Sequence, residues 1–182
     1  MDYDEAVLID LIRQQSLKLG DFVLASGKKA KYYLDCRKVT LDPQGANQIA
    51  AGILDLLGHA LPDAIGGMAI GADPISAATI TLAGQRGLSL KGFIVRKESK
   101  QHGTGRDVEG PVESGMSAVI VEDVVTTGGS AIKAIEKAEA FGLKVREVIA
   151  IVDRLEGGKE AFAERGYPLR TLLTIRDFGL EP

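Results

Sequence analysis

The segment that runs from Val119 to Ser130 constrains the fold of this chain more than any other. It reads Val-Ile-Val-Glu-Asp-Val-Val-Thr-Thr-Gly-Gly-Ser, so that an apolar run ends in two acids and a turn of small residues. The apolar residues 118–121 are typical of a strand buried on both faces of a parallel sheet. After the turn, residues 130–141 carry Ala and Ile at helical spacing. The turn is therefore predicted at the carboxyl end of a parallel strand, which is where open α/β sheets bind ligands.

A turn of small residues between a strand and a helix is suited to binding a phosphate. It leaves backbone N–H groups and hydroxyls free, and the positive end of the following helix attracts an anion. Glu122 and Asp123 would repel that phosphate unless they had another task, such as binding ribose hydroxyls or approaching Mg²⁺ through water. The alternative is an ordinary strand-to-helix connection with a helix cap. A cap needs only one polar residue, whereas this segment has two acids and several small residues in order.

The segment resembles the motif with which type I phosphoribosyltransferases bind 5-phosphoribosyl 1-pyrophosphate (PRPP). That motif has an apolar run, two acids, two further residues and then a Thr/Gly turn, and it is more specific than a short glycine pattern. The resemblance implies that Asp123 takes part in catalysis. It also implies a PRPP-binding set that consists of Glu122, Asp123, Val124, Val125, Thr126, Thr127, Gly128, Gly129 and Ser130.

Length and composition predict one globular domain. A chain of 182 residues is long enough for one full core and short for two. The formal net charge of −3 provides no overall basic field for nucleic acid. The single cysteine, Cys36, cannot form an internal disulfide, which fits a cytoplasmic protein. We expect no signal peptide or membrane anchor, because the N-terminus is acidic and no apolar stretch approaches roughly 20 residues.

Hydrophobic periodicity predicts an α/β fold with a mostly parallel central sheet flanked by helices. An N-terminal helical stripe runs over residues 3–12, and a strand follows at 19–24. Further helices are predicted at 43–57, 75–83 and 130–141, alternating with strands at 64–70, 90–95, 116–121 and 145–152. A last strand at 169–175 lies outside this pattern. We therefore expect a single domain over 1–182, with a core of about 41–155 and a small hood made by about 1–40 and the C-terminal tail.

A second turn of small residues follows the strand at 64–70. It reads Gly71-Ala72-Asp73-Pro74, and small residues permit a close backbone approach to an anion. The resemblance implies that Ala72 and Asp73 contact the pyrophosphate of PRPP. Many orotate phosphoribosyltransferases have a lysine in this loop, whereas this chain has Asp73. Any positive charge in direct contact with the pyrophosphate must therefore come from elsewhere. A plain turn remains the alternative.

A long polar stretch separates two predicted strands at residues 96–107. Connections of this length are unusual in a compact domain unless they are functional or disordered, and a solvated surface loop is the alternative. The stretch resembles the Arg-Lys-x-x-Lys-x-His-Gly motif of orotate phosphoribosyltransferases. The resemblance implies a homodimer in which this lid reaches the neighbouring active site, with Lys100 as a catalytic residue. The pyrophosphate-binding residues that it implies are Arg96, Lys97, Lys100 and His102.

Two further segments are candidates for binding a base. Arg154 follows a predicted strand, and its planar guanidinium suits a carboxylate such as that of orotate. An ion pair with Asp153 or Glu156 is the alternative. The segment 24–37 resembles the hood of the family, although Ala25 replaces a common lysine. The role of that lysine would either pass to Lys28 or Lys31 or be dispensable. The implied orotate-binding residues are Thr126, Arg154, Tyr32, Tyr33 and Lys28; a core role for the tyrosines is the alternative.

Taken together, the resemblances imply an orotate phosphoribosyltransferase. Such an enzyme is a pentosyltransferase that joins orotate to PRPP in pyrimidine biosynthesis, giving orotidine 5′-monophosphate and pyrophosphate. It would use Mg²⁺ held mainly by PRPP, with no direct protein ligand. A purine-type phosphoribosyltransferase and a non-catalytic PRPP-sensing regulator are the alternatives. The cationic stretch and Arg154 argue against the first, and the net negative charge argues against a regulator that binds nucleic acid.

Overall fold

A six-stranded sheet forms the centre of the molecule. The computed structural model describes residues 2–23, 29–98 and 107–182. Within these ranges the strand order is β5-β4-β3-β6-β7-β8, and every neighbouring pair is parallel except β4 and β5. The expected mostly parallel α/β fold is confirmed. The strands of this sheet are β3 (Ala64–Met68), β4 (Lys91–Val95), β5 (Val108–Glu109), β6 (Ser117–Val125), β7 (Lys144–Asp153) and β8 (Leu169–Thr174).

Helices cover both faces of the sheet. Alternate residues of β6 enter two separate cores: Val119 and Val121 belong to one, and Ala118 and Ile120 to the other. The first core includes residues of α1, α3 and α4, and the second includes residues of α5 and α6. This arrangement explains why the strand has no polar residue between Ser117 and Glu122. The helices are α1 (Glu5–Gln15), α2 (Arg37–Thr40), α3 (Pro43–Leu57), α4 (Ala72–Gln85), α5 (Gly129–Phe141) and α6 (Gly158–Ala163).

The start of α3 shows how local sequence sets an element boundary. Asp42 Oδ1 accepts hydrogen bonds from the backbone N–H groups of Gln44 and Gly45, both at 2.9 Å. Pro43 occupies the first turn, where a helix does not need its N–H group. A side chain at position 45 would collide with the Val39 carbonyl, because an added Cβ would lie 2.3 Å from that oxygen. The helix predicted over residues 43–57 is confirmed.

The N-terminal segment forms a small sheet of its own. Strands β1 (Leu17–Val23) and β2 (Lys29–Leu34) pair antiparallel and do not join the central sheet. The N-terminal strands therefore lie outside the alternating strands and helices of the central sheet. No helix in the described ranges is both long and apolar enough to span a membrane.

The prediction that the last strand lies outside the core is wrong. β8 pairs parallel to β7 and forms one edge of the central sheet. Leu173 of this strand is buried, and Arg170 forms an ion pair with Glu147 of β7. The alternating pattern is hard to follow here because the intervening helix α6 has only six residues. The sheet therefore extends to Thr174, and only the 3-10 turn Ile175–Phe178 and the tail follow it.

Candidate active site

The acid pair lies inside a strand and not in the turn after it. β6 continues to Val125, four residues beyond its predicted end, so Glu122 and Asp123 are among its last four residues. Gly71, at the end of the β3–α4 connection, approaches them closely: an added Cβ there would lie 3.2 Å from Asp123 Oδ1 and 3.4 Å from Glu122 Oε1. The ends of two neighbouring strands therefore meet at the acids, as expected at the carboxyl edge of a parallel sheet.

Glu122 is a buried acid whose charge is poorly compensated. Its side chain is 8% exposed, and Oε2 has no hydrogen-bond partner among the described residues. Burial and the neighbouring charge of Asp123 raise the pKa of Glu122 to about 8, although a hydrogen bond with Ser130 opposes this shift. The raised pKa means that Glu122 keeps its proton to a higher pH than an exposed glutamate does. Asp123 is less buried than Glu122, and its Oδ1 accepts a hydrogen bond of 2.8 Å from the Val124 N–H group.

The turn after β6 surrounds a cavity of about 160 Å³. Gly128 has a left-handed backbone (φ 80°), and α5 begins at Gly129. Backbone N–H groups at the start of a helix have no partner within it, so they can bind an anion. The cavity is lined by Glu122, Val124, Val125, Thr126, Thr127, Gly128, Gly129 and Ser130. Eight of the nine residues predicted from the motif thus surround one space, and Asp123 lies just outside it.

Residues of α6 support this turn from behind, which the sequence did not reveal. An added Cβ at Gly128 would lie 2.8 Å from Phe162 Cζ, and one at Gly158 would lie 2.3 Å from Val125 Cγ1. Phe162 is fully buried. Gly158 and Phe162 therefore fix the shape of the turn without contacting a ligand in it.

A larger cleft of about 470 Å³ adjoins the turn. It shares Glu122, Val124, Thr126 and Ser130 with the smaller cavity, and it brings in Arg154, Lys97 and residues of the β2–α2 region. The lining is Tyr33, Leu34, Asp35, Arg37, Met68, Ala69, Ile70, Gly71, Lys97, Glu122, Asp123, Val124, Thr126, Ser130 and Arg154. Asp35 and Arg37 were not predicted. They form a two-point ion pair, with Nε–Oδ1 at 2.8 Å and Nη2–Oδ2 at 3.1 Å, which lowers the pKa of Asp35.

Arg154 is held at the cleft by contacts on two sides. Nε donates a hydrogen bond of 2.9 Å to Tyr32 Oη, and Nη2 lies 2.7 Å from Glu156 Oε1. The Arg154 backbone N–H donates to the Val125 carbonyl at 2.9 Å, which ties it to the end of β6. Asp153 takes no part in this pairing, because its Oδ1 accepts from the Leu155 N–H group. Of the two ion pairs left open by the sequence, the structure has the one with Glu156.

The two tyrosines of β2 have different environments. Tyr32 is 5% exposed and contacts the cleft only through Arg154, whose Cζ lies 4.6 Å from the ring centroid. Tyr33 is 42% exposed, lines the cleft and packs at 6.0 Å against the ring of Phe22. Tyr33 is thus the tyrosine that a ligand can reach directly.

Comparison with known proteins decides the family. The model of the phosphoribosyl transferase domain matches residues 44–171. An orotate phosphoribosyltransferase of Rhodopirellula baltica is 59% identical over 98% of this chain and 96% of its own length. The chain belongs to the orotate phosphoribosyltransferase family.

Solved structures of the family agree with the fold. The orotate phosphoribosyltransferase of Mycobacterium tuberculosis in complex with Fe(III) dicitrate has a TM-score of 0.86 and 35% identity, over 97% of this chain and 99% of that one. The same enzyme in complex with PRPP has a TM-score of 0.82 and 31% identity, over 97% and 99% of the two chains. Orotate phosphoribosyltransferase structures thus cover nearly the whole chain, and the resemblance read from the sequence is confirmed.

Three of the residues predicted to bind pyrophosphate, Ala72, Asp73 and Arg96, are not among the described residues that line the cleft. Ala72 is fully buried, and an added Cβ at Gly67 would lie 2.7 Å from its Cβ. Asp73 borders a separate groove, where burial raises its pKa and Oδ1 has no described hydrogen-bond partner. Arg96 Nη1 lies 3.5 Å from Glu109 Oε1. The turn contributes Gly71 and the residues before it because α4 begins at Ala72, three residues earlier than predicted.

Several remaining predictions receive no structural description. Lys28, Lys100 and His102 lie outside the described residues. Lys31, the other candidate to replace the missing hood lysine, lies 2.6 Å from Asp21 Oδ1 and is not part of the cleft lining. Cys36 is buried, and burial raises the pKa of its thiol well above the usual value, so it is not suited to act as a nucleophile.

Proposed function

We propose that the cleft transfers the 5-phosphoribosyl group from PRPP to orotate, giving orotidine 5′-monophosphate and pyrophosphate. The bond between the anomeric carbon and pyrophosphate breaks, a bond to a ring nitrogen of orotate forms, and the proton of that nitrogen is released. The single observation that carries the proposal is the junction of the phosphate-sized cavity with the larger cleft at Glu122, Thr126 and Ser130. One extended ligand with a phosphate at one end fits these two joined spaces.

The residue roles follow from what lines each space. The Thr126–Ser130 turn would bind the 5′-phosphate, because its residues, which carry hydroxyls and backbone N–H groups at the start of a helix, line the small cavity. Asp123 and Glu122 would accept or share hydrogen bonds with the ribose hydroxyls. Lys97, which lines the larger cleft but not the small cavity, would contact pyrophosphate together with Lys100 and His102.

Orotate would bind between Tyr33 and Arg154. The guanidinium of Arg154 is partly neutralised by Glu156, so it presents a directed donor group more than a free charge. Tyr32 keeps the guanidinium in place through its hydroxyl. No nucleophilic side chain is required, because an oxocarbenium-like transition state needs charge stabilisation and alignment above all.

The donor set of the cleft fits a Mg²⁺ ion carried by PRPP. Hard cations prefer oxygen ligands, and the carboxyl groups of Glu122 and Asp123 are neighbours in the lining of the cleft. The described residues contain no group of three or more acids, histidines or cysteines arranged for a metal, so we propose that PRPP supplies most of the ligands. When bound, Mg²⁺ would neutralise part of the charge that grows on pyrophosphate.

We further propose a cytoplasmic homodimer in which the lid 96–107 is shared between subunits.

The proposed reaction is tested by offering the protein different bases and measuring which one it consumes. The protein is incubated with PRPP, Mg²⁺ and either orotate, hypoxanthine or adenine, and the loss of each base is followed by absorbance. We expect orotate alone to be consumed, and a chelator in excess of Mg²⁺ to stop turnover. Consumption of a purine with orotate untouched would contradict the assignment of the base, and full activity in chelator would contradict the role of the metal.

A further inference from the structure

Lys137 of α5 binds the main chain beside the active-site cleft. Its Nζ donates to the carbonyl of Arg96 at 2.7 Å and to that of Lys97 at 3.3 Å, and it lies 3.6 Å from Asp107 Oδ1. An ammonium group has three N–H donors, and three acceptors surround this one. Lys137 thus makes two hydrogen bonds and one ion pair although it lies outside the cleft lining.

These contacts join the two chain segments at which the described ranges stop and resume. Lys97 follows the end of β4, and Asp107 precedes β5. The Arg96 N–H group also donates to the Asp107 carbonyl at 2.8 Å. Asp107 Oδ1 is buried and has no described hydrogen bond, so the ammonium of Lys137 compensates its charge. Removing Lys137 would take a donor from the carbonyls of Arg96 and Lys97 on one segment and the opposite charge from Asp107 on the other.

The same helix carries the phosphate-binding turn. α5 begins at Gly129, and Lys137 lies about two turns further along it. A packed helix is a rigid connection. Because Lys137 and the turn both belong to α5, this helix fixes the position of Lys97 at the cleft relative to the turn. Lys97 is a cleft-lining residue, whereas the Lys137 ammonium reaches only its backbone.

We propose that Lys137 is a positioning residue that sets the distance between Lys97 and the phosphate-binding turn. Lys137 contacts no substrate and acts only through the main chain of Lys97. The proposal rests on the proposed function, because the group that Lys97 would meet is the pyrophosphate of PRPP. It predicts an effect on PRPP that is larger than the effect on orotate.

The first experiment compares Lys137→Met with Lys133→Met, an exposed lysine one turn earlier on the same helix. Loss of a charged hydrogen-bond donor should lower kcat/KM for PRPP on the order of tenfold in Lys137→Met. The KM for orotate should change less than about twofold, and Lys133→Met should match the wild type. Lys137→Arg, which keeps the cation and several donors, should recover most of the loss. Should Lys137→Met fail to fold, Lys137→Gln replaces it under the same criteria.

The second experiment separates positioning from a general loss of stability. Lys137→Met is repeated in a Lys97→Ala background, with thermal melts showing that each variant is folded at the assay temperature. If Lys137 acts through Lys97, the tenfold loss should largely disappear there, because coupled residues are not additive. An equal loss in both backgrounds, or equal effects on PRPP and orotate, would overturn the proposal. Failure of the wild type to consume orotate would instead overturn the proposed function.

Discussion

Arg154 is the residue whose surroundings bear most directly on the choice of base. Its guanidinium has Tyr32 on one side and Glu156 on the other, and it still lines the cleft. We expect Arg154→Ala to raise the KM for orotate by a factor of about ten or more, as for a lost charged hydrogen bond. The KM for PRPP should change little.

Steady-state kinetics with each substrate varied in turn measures this difference. Arg176→Ala serves as the control, because Arg176 is an exposed arginine paired with Glu181 near the C-terminus. An equal rise in both Michaelis constants would contradict a carboxylate-binding role for Arg154.

Glu122 should make the stability of the protein depend on pH. Its pKa is about 8 in the folded protein and has an ordinary value of 4.5 when exposed. Between these values the folded protein keeps a proton that the unfolded chain releases, so stability falls as the pH rises. Below the lower value both states are protonated, and above the higher value both are ionised, so the effect is confined to this window.

Glu122→Gln removes that titration. Relative to this variant, the free energy of unfolding of the wild type should fall by up to about 1.4 kcal/mol per pH unit within the window. Urea unfolding at about pH 5, 6.5 and 8 measures it, with Glu136→Gln on the exposed side of α5 as the control. If the free energy of unfolding depends on pH in the same way in the wild type and in Glu122→Gln, the raised pKa of Glu122 is contradicted.

At the scale of elements, the turn proposed to bind phosphate depends on the short helix α6 behind it. Gly128 combines a left-handed backbone with a close approach to the ring of Phe162. Gly128→Ala should therefore destabilise the protein by about 1–3 kcal/mol, from backbone strain and overpacking together. It should also weaken PRPP binding, because the turn must shift to accommodate the added methyl group.

The neighbouring glycine is a matched control for stability. An added Cβ at Gly129 meets no atom within 4 Å, so Gly129→Ala should leave the melting temperature nearly unchanged. Thermal unfolding of the two variants tests the difference. Similar melting temperatures for both would mean that α6 does not fix the shape of the turn.

At the scale of the whole molecule, the proposed sharing of the lid between subunits has a direct test. Lys100→Ala and Asp123→Asn should each inactivate the enzyme when alone. In a mixed dimer, one site combines an intact Asp123 with an intact lid from the partner subunit. Random pairing should restore about a quarter of the wild-type activity, because half of the dimers are mixed and one of their two sites is complete.

Differently tagged subunits establish that mixed dimers form. If they purify together and no activity returns, the lid serves its own subunit. Recovery of activity without co-purification would indicate that one of the single variants is active by itself.

The sequence by itself determined the fold class and the turn of small residues that follows β6. Both depend on short-range patterns: a strand buried on two faces must be apolar throughout, and a tight turn before a helix must use small residues. Val119, Val121 and Gly128 satisfy these requirements without reference to distant parts of the chain. The family resemblance rests on the same segment, which is why the order of the residues is sufficient to reveal it.

Only the tertiary structure decided which distant residues meet. The sequence did not place Asp35 and Arg37 in the cleft, or Phe162 behind the turn, because each is brought there by strands and helices far away in the chain. It predicted the start of α4 three residues too late, and Asp73, in the first turn of that helix, borders another groove. β8 belongs to the sheet because it pairs with β7 and buries Leu172 and Leu173. The sequence did not show this, because the short helix α6 gives only a weak helical pattern before it. The pairing of strands, and the contacts between segments that are distant in the chain, are properties of the assembled chain that these local patterns did not reveal.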